Sequence, residues 1–268
     1  MPDSTSDDAL NAVAAWFFTK ADMSKVLGDS LRRSLDEVID GPRTGRYHVE
    51  QLEKTEKTYI GTKVEIVLRF AFELARGKKL DNLIVGHEVD TKFSLKGQWM
   101  IPREAVGELC LLVSADDASG TFSAGLICAS HDVLNPGSNQ DGKRTLSVAG
   151  RRHIRWLVQD GELPANFLLK LSDEVREAVR EAVLSPSSGK QRLIALFERV
   201  NDRLIPRSAL LQVAQLKGDP LRRAREAKAT LAARGLRVLC ATYAAERAEI
   251  VAQGYPNAAD DDWLSVRL

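Results

Sequence analysis

The sequence predicts an α/β protein in which a mixed sheet flanked by helices is followed by a smaller, basic and mostly helical module. Three observations predict it. Apolar residues recur at helical spacing in the first 40 residues and again around Glu65. Short β-rich runs separated by turn signals fill the middle of the chain. The Ser-, Pro- and Gly-rich stretch LSPSSGKQR then marks a change of composition.

Taken in order, ALNAVAAWFF carries an apolar stripe, and SKVLGDSLRRSLDEVIDG reads as a second amphipathic helix that stops near Gly41-Pro42. Both are expected to serve as packing scaffold and as candidate dimer elements. Arg43 and Arg46 in GPRTGRY, and Lys54 and Lys57 in LEKTEKT, are candidate phosphate contacts, with a solvated surface as the equal alternative. Val64, Val67, Leu68, Ala71, Phe72 and Ala75 share a helical spacing, so Glu65 projects from a helix with apolar neighbours on both sides.

Asp81 stands at the mouth of the apolar run Leu83-Ile84-Val85, and Gly86-His87 can turn the chain tightly back into HEVDTKFSL. Alternation in that run puts Val89, Thr91 and Phe93 on one face, with Asp90 and Lys92 on the other. A carboxylate and an ammonium then stand side by side, with Asp81 folded towards them. Acid-x-Lys triplets also occur at Asp141-Gly142-Lys143 and Glu226-Ala227-Lys228, so the triplet alone carries no weight. The first copy differs in its strand-like setting, the upstream Asp81 and the helix-borne Glu65. An ordinary solvated strand edge is the competing reading. GELCLLVSA and TFSAGLICAS, separated by ADDASG, read as two further strands, and NPGSNQDGKR as a surface loop. Trp99 in KGQWMIP is expected to serve in packing.

The chemistry gives this set its interest. Hard cations such as Mg²⁺ take carboxylate and water oxygens and bind through one or two protein carboxylates plus a substrate phosphate. Asp81 and Asp90, helped by Glu65, would form such a site, and Lys92 would orient a water or neutralise charge on phosphorus. The expected reaction is direct phosphodiester hydrolysis with no covalent enzyme intermediate.

The second module reads as a helix-turn-helix with a wing. LIALFERVNDRL and SALLQVAQL are helices, Lys217-Gly218-Asp219-Pro220 is a turn, and LRRAREAKATLAARG is a long basic helix stopped by Gly235 before the strand-like LRVLCATYA. Residues 186–240 hold 12 basic and 4 acidic side chains in a chain of net charge +1, so the basic character is concentrated there. Arg222, Arg223 and Arg225 are the candidate phosphate or base contacts, supported by Arg207 and Lys228. A solvated basic helix face is the alternative. The resulting domain expectation is a catalytic part over 1–168, a linker region over 169–189, and a DNA-binding part over 190–268.

Cys110, Cys128 and Cys240 are odd in number and lie in or beside apolar runs, which reads as free thiols rather than a zinc or disulfide framework. No apolar run approaches the ~20 residues of a membrane span, and no secretory leader opens the sequence. A cytoplasmic protein with no membrane partner is expected.

The block DGPRTGRYHVEQLEKTEKTYIGTKVEI, followed by DNLIVGHEVDTKFSLKGQWMIPREAVGELCLLV, resembles the NaeI family of type II restriction endonucleases, within the PD-(D/E)xK nuclease superfamily. The likeness continues through GRRHIRWLV, LFERVNDRLIPRSALLQVAQ and ARGLRVL. It implies a restriction-endonuclease-like core with Glu65, Asp81, Asp90 and Lys92 as catalytic residues, Mg²⁺ as cofactor, double-stranded DNA as substrate and a homodimer as the working form. For the C-terminal part, which looks shorter than the family's, it implies a winged-helix-like fold that binds a second DNA copy as effector. Two other readings stay open: a nuclease of the same fold acting on modified, mismatched or branched DNA, and a non-catalytic DNA-binding regulator.

Overall fold

A computed structural model describes residues 4–185, 187–215 and 220–268. The chain divides into two compact units, residues 1–38 with 53–165, and residues 39–52 with 166–268. In chain order the helices are α1 (Ser4–Phe18), α2 (Met23–Ile39), the single turn α3 (Gly41–Thr44), α4 (Lys54–Ala71), α5 (Asp173–Leu184), α6 (Gly189–Arg199), α7 (Arg207–Ala214), α8 (Pro220–Ala232) and α9 (Ala244–Ala252). The strands are β1 (Ala75–Arg76), β2 (Asn82–Ile84), β3 (His87–Ser94), β4 (Met100–Ile101), β5 (Leu109–Asp116), β6 (Thr121–Cys128), β7 (Arg144–Thr145), β8 (Arg155–Glu162), β9 (Leu204–Ile205), β10 (Leu236–Cys240) and β11 (Trp263–Arg267).

The first unit is built on a six-stranded mixed sheet in the order β1-β2-β3-β5-β6-β8. Only β3 and β5 run parallel; the other neighbours are antiparallel. The sequence signals account for most of it. The alternating HEVDTKFS becomes β3, and the ADDASG turn between β5 and β6 is closed by Asp116 Oδ1, which accepts the main-chain N–H groups of Ala118 and Ser119. The hairpin turn between β2 and β3 lies one residue earlier than expected: Ile84 pairs with His87, so Val85-Gly86 forms the turn and His87 belongs to the strand. Val85 at φ 43 and Gly86 at φ 85 give the paired positive angles of a two-residue hairpin turn, a strained backbone for a β-branched residue.

Helix α4 starts at a capping box between Glu53 and Glu56 and buries Ile60, Val64, Val67 and Leu68, each contributing on the order of 2 kcal/mol. It lies against β3, while α1 lies against β6 and β8. The expected stripe holds for Val64, Val67, Leu68 and Phe72; Ala71 is exposed, and Glu73 at φ 52 ends the helical path before Ala75, which is also exposed. Phe72 meets Phe17 of α1 edge-on, with ring centroids 5.4 Å apart. A separate cluster on the sheet gathers Trp99, Ile101, Cys110, Leu112, Ile127 and Ile154. Trp99 packs as expected, its indole N–H donating to Val113 O at 2.8 Å.

The second unit surrounds the core of Leu193, Leu196, Phe197, Leu210, Val213, Leu231 and Trp263. A small antiparallel sheet, β10-β11-β9, closes it. Several sequence expectations are revised here. The segment 169–189, expected as a linker, contains α5, which is capped by Ser172 and buries Val179 and Val183. Residues 39–52, expected in the catalytic part, belong to this unit: Asn166 Nδ2 donates to Tyr47 O at 3.1 Å, and the Arg176 guanidinium stands 5.4 Å from the Tyr47 ring. The helix expected through LIALFERVNDRL stops at Arg199, and the strand in LRVLCATYA stops at Cys240 before α9. Of the Lys217-Gly218-Asp219-Pro220 turn, the first three residues lie outside the described residues, and Pro220 opens α8 as expected.

None of the three cysteines forms a disulfide among the described residues, and Cys110 and Cys240 are buried. Among the described residues, no helix is long and apolar enough to cross a membrane.

Candidate active site

Asp90, Lys92 and Asp81 converge at the β2–β3 edge of the sheet. Parallel register pairs Asp90 with Cys110 and Lys92 with Leu112, so the two charged side chains emerge on the face that carries the Trp99 cluster. Lys92 Nζ lies 2.7 Å from Asp90 Oδ2 and 3.8 Å from Asp81 Oδ2. Asp81 is aimed there by the strand itself, because its Oδ2 accepts the Thr91 main-chain N–H at 2.8 Å.

Burial makes this cluster electrically unusual. Asp90 is only 4% exposed, and desolvation, with a smaller push from the neighbouring Asp81 carboxylate, outweighs Lys92 and raises its pKa to about 6. Burial works against the Lys92 ammonium too, but Asp90 and then Asp81 hold its pKa above the ordinary lysine value. Next to them, burial pushes the Cys110 thiol up, so it remains a neutral wall of the site. Asp90 Oδ2 is buried and faces the Lys92 ammonium at 2.7 Å. Two neighbouring carboxylates, Asp81 and Asp90, are the donor type a hard divalent cation takes, since it binds oxygen ligands and keeps water on its other faces.

Glu65 stands differently from the expected three-carboxylate set. Arg69, one turn further along α4, donates Nη2 to Glu65 Oε1 at 2.7 Å. Among the described residues, no three His, Cys, Asp or Glu side chains are grouped closely enough to hold a metal ion. The physical reason is placement: α4 packs on β3, and Arg69 also bonds Asn82, which pairs with Val89 on the face away from Asp90. Glu65 therefore has one oxygen engaged by Arg69 and is not grouped with both Asp81 and Asp90.

Three residues outside the sequence-derived set, Glu88, Gly77 and Arg69, brace the approach to Asp81. The Glu88 carboxylate accepts the main-chain N–H groups of Lys78, Leu80 and Lys79 at 2.8, 2.9 and 3.3 Å, and these bonds, Leu80's first, hold its pKa below the ordinary range. A Cβ at Gly77 would collide with Glu88 Oε2 and Leu80 O, so the loop requires glycine there. Arg69 carried a readable signal, the i, i+4 spacing from Glu65.

The candidate DNA contacts separate into distinct settings. In the first unit, Lys54 is exposed and Lys57 half-buried at the start of α4. In the second unit, Arg43 is exposed and pairs with Asp40, and Arg46 is half-buried. Arg207 reaches Asp261 at 4.0 Å. On α8, Arg222 and Arg223 are exposed and share Glu226, at 3.0 and 2.7 Å, and Arg225 is exposed. Lys228 is turned inward instead. Its Nζ pairs with both Glu246 oxygens at 2.5 and 2.6 Å and stands 5.4 Å from the Trp263 ring centroid, so its role is to hold α8 to α9 and the small sheet rather than to support a surface contact.

Comparison with known proteins places this geometry in context. The sequence profile of the family described as restriction endonuclease NaeI matches residues 12–268. The type II restriction enzyme NaeI of Lentzea aerocolonigenes is 39% identical over 223 residues, covering 82% of this chain and 70% of that protein.

Proposed function

This chain belongs to the restriction endonuclease NaeI family, and from that premise we propose that it is a Mg²⁺-dependent, sequence-specific endonuclease that hydrolyses phosphodiester bonds in double-stranded DNA. The observation that carries the reading is the convergence of Asp90, Asp81 and Lys92 beside one another, with Asp90 buried.

Asp81 and Asp90 would hold Mg²⁺ and Glu65 would complete the set. When bound, the cation supplies polarisation of the phosphodiester and a water of lowered pKa. Lys92, whose ammonium is kept charged at neutral pH by Asp90, is placed to neutralise charge developing on the phosphoryl oxygens or to orient the attacking water. Thr91 fixes the Asp81 carboxylate through its N–H, and the buried wall around Cys110 limits water at Asp90, so these charges act in a less screened setting.

In the second unit, the succession α6, β9, α7, α8, β10, α9, β11, with β10-β11-β9 as a small sheet, supports the reading of a winged-helix-like DNA-binding module. Arg222, Arg223 and Arg225 would meet phosphates or base edges and Arg207 would assist. Arg43, Arg46, Lys54 and Lys57 would clamp phosphates. A homodimer follows from the two antiparallel strands of duplex DNA, one site facing each strand. A second DNA copy bound as effector belongs to the same reading, as does residence in the cytoplasm. Sequencing the ends of Mg²⁺-dependent digestion products of unmethylated plasmid is the test. Discrete ends at one short sequence support it; cleavage confined to methylated, mismatched or branched DNA, or no cleavage, contradicts it.

A further inference from the structure

We propose that Arg69 is a positioning residue of the active site, which holds Glu65 and the entry to β2 in one fixed arrangement and thereby sets the affinity of the Asp81–Asp90 pair for a divalent cation. The inference rests on the cation site proposed above. Arg69 uses its guanidinium as a fork across two elements. Nη2 donates to Glu65 Oε1 at 2.7 Å and to Asp81 O at 3.0 Å, while Nε donates to Asn82 Oδ1 at 3.0 Å.

The chain of contacts continues to the catalytic strand. Asn82 Nδ2 donates to Thr91 Oγ1 at 2.9 Å, and the Thr91 N–H in turn binds Asp81 Oδ2 at 2.8 Å. Asn82 and Thr91 are buried, so water does not substitute for these bonds. An ordinary i, i+4 ion pair on a helix surface would touch Glu65 alone. Arg69 instead links the helix-borne carboxylate to the main chain of the residue whose side chain faces Lys92. Side chains that orient metal ligands are paid for in folding, so the ligands need no further ordering when the cation arrives. Lysine is no substitute, because a single ammonium cannot reach the three acceptors with a planar fork.

The test is calorimetric titration with Mn²⁺ alone, without DNA, of the wild type, Glu65→Gln, Arg69→Lys and the double variant. Arg69→Lys keeps the positive charge, so a change reports loss of the fork. Its Mn²⁺ affinity is expected to fall about tenfold, and the same change in the Glu65→Gln background is still expected to lower affinity, because the bonds to Asp81 O and Asn82 do not involve Glu65. Unchanged Mn²⁺ binding in Arg69→Lys, or no further loss in the double variant, overturns the proposal. Thermal melting reads the fold separately. Should Arg69→Lys melt below the assay temperature, Asn82→Ala, which removes the acceptor of Nε, is titrated in its place with the same two outcomes. Plasmid cleavage separates this idea from the nuclease reading. A wild type that binds Mn²⁺ through Arg69 but cuts no DNA removes only the nuclease. A wild type that cuts while Arg69→Lys binds and cuts equally well removes only the positioning role. A wild type that binds no Mn²⁺ removes both.

Discussion

Asp81 Oδ2 accepts the Thr91 N–H at 2.8 Å, so the carboxylate that precedes the hairpin is fixed by the residue lying between Asp90 and Lys92. Assembling the cluster this way keeps Asp90 buried, against its preference when ionised. Asp90→Asn is therefore expected to raise stability at pH 7–8 by about 1–3 kcal/mol while removing the added stability that Mn²⁺ gives the wild type. Melting curves with and without Mn²⁺ check both halves. A variant less stable than the wild type at pH 8 would refute the electrostatic picture.

Gly77 sits where the Glu88 carboxylate gathers the N–H groups of residues 78–80. Gly77→Ala is expected to lower stability by about 1–3 kcal/mol, since the new methyl group must displace backbone as well as a side chain. Cleavage should fall further than stability alone explains, because the loop leads directly into Asp81. Denaturant unfolding and a cleavage rate measured on the same preparation test this together.

Asp36 offers a pH signature away from the site. It is buried beside Arg32, 2.6 Å away, and Arg32 also serves Asp117. Burial exceeds the help from Arg32 and pushes Asp36 up to about 6. Between its ordinary value near 4 and 6, the folded chain holds a proton that the unfolded chain releases, so this contribution to stability is present at low pH and lost as pH rises through 6. Relative to Asp36→Asn, the wild type should lose on the order of 1–3 kcal/mol between pH 4 and pH 7. Parallel stability profiles of the two proteins would contradict it.

Arg222 and Arg223 both lean on Glu226, which competes with any phosphate for them. Replacing Arg222, Arg223 and Arg225 together by alanine should weaken duplex binding and flatten its salt dependence by a slope of about 2–3, one per lost phosphate contact. Glu226→Gln should strengthen binding. Lys228→Met, by contrast, should reduce the stability of the second unit and leave the salt slope unchanged, because Lys228 is committed to Glu246. Fluorescence anisotropy over a salt series separates the three cases.

The candidate site is legible in the sequence because its signals are local. Alternation places Asp90 and Lys92 on one face, and the two-residue turn brings Asp81 back to them; helical spacing then accounts for Glu65 beside an apolar stripe. What escaped depends on contacts far apart in the chain. Residues 39–52 join the second unit through Tyr47, Asn166 and Arg176, which no local pattern announces. Lys228 looked like one more cation on a basic helix until Glu246 and Trp263 gave it an inward role. Helix α5 carries a usable sign, Ser172 followed by Asp173 and Glu174 at a helix start, but the Ser- and Pro-rich stretch after it draws the boundary too late.

Lys92→Ala, compared with the wild type for Mg²⁺-dependent cleavage of supercoiled plasmid and for duplex binding, tests the cluster most directly. Cleavage by the wild type, lost by about a hundredfold or more in the variant while duplex binding persists, is the expected result. Equal cleavage by both proteins would show that Asp90, Asp81 and Lys92 are not the centre of the reaction, and absence of cleavage in both, with binding intact, would leave a DNA-binding protein without nuclease activity.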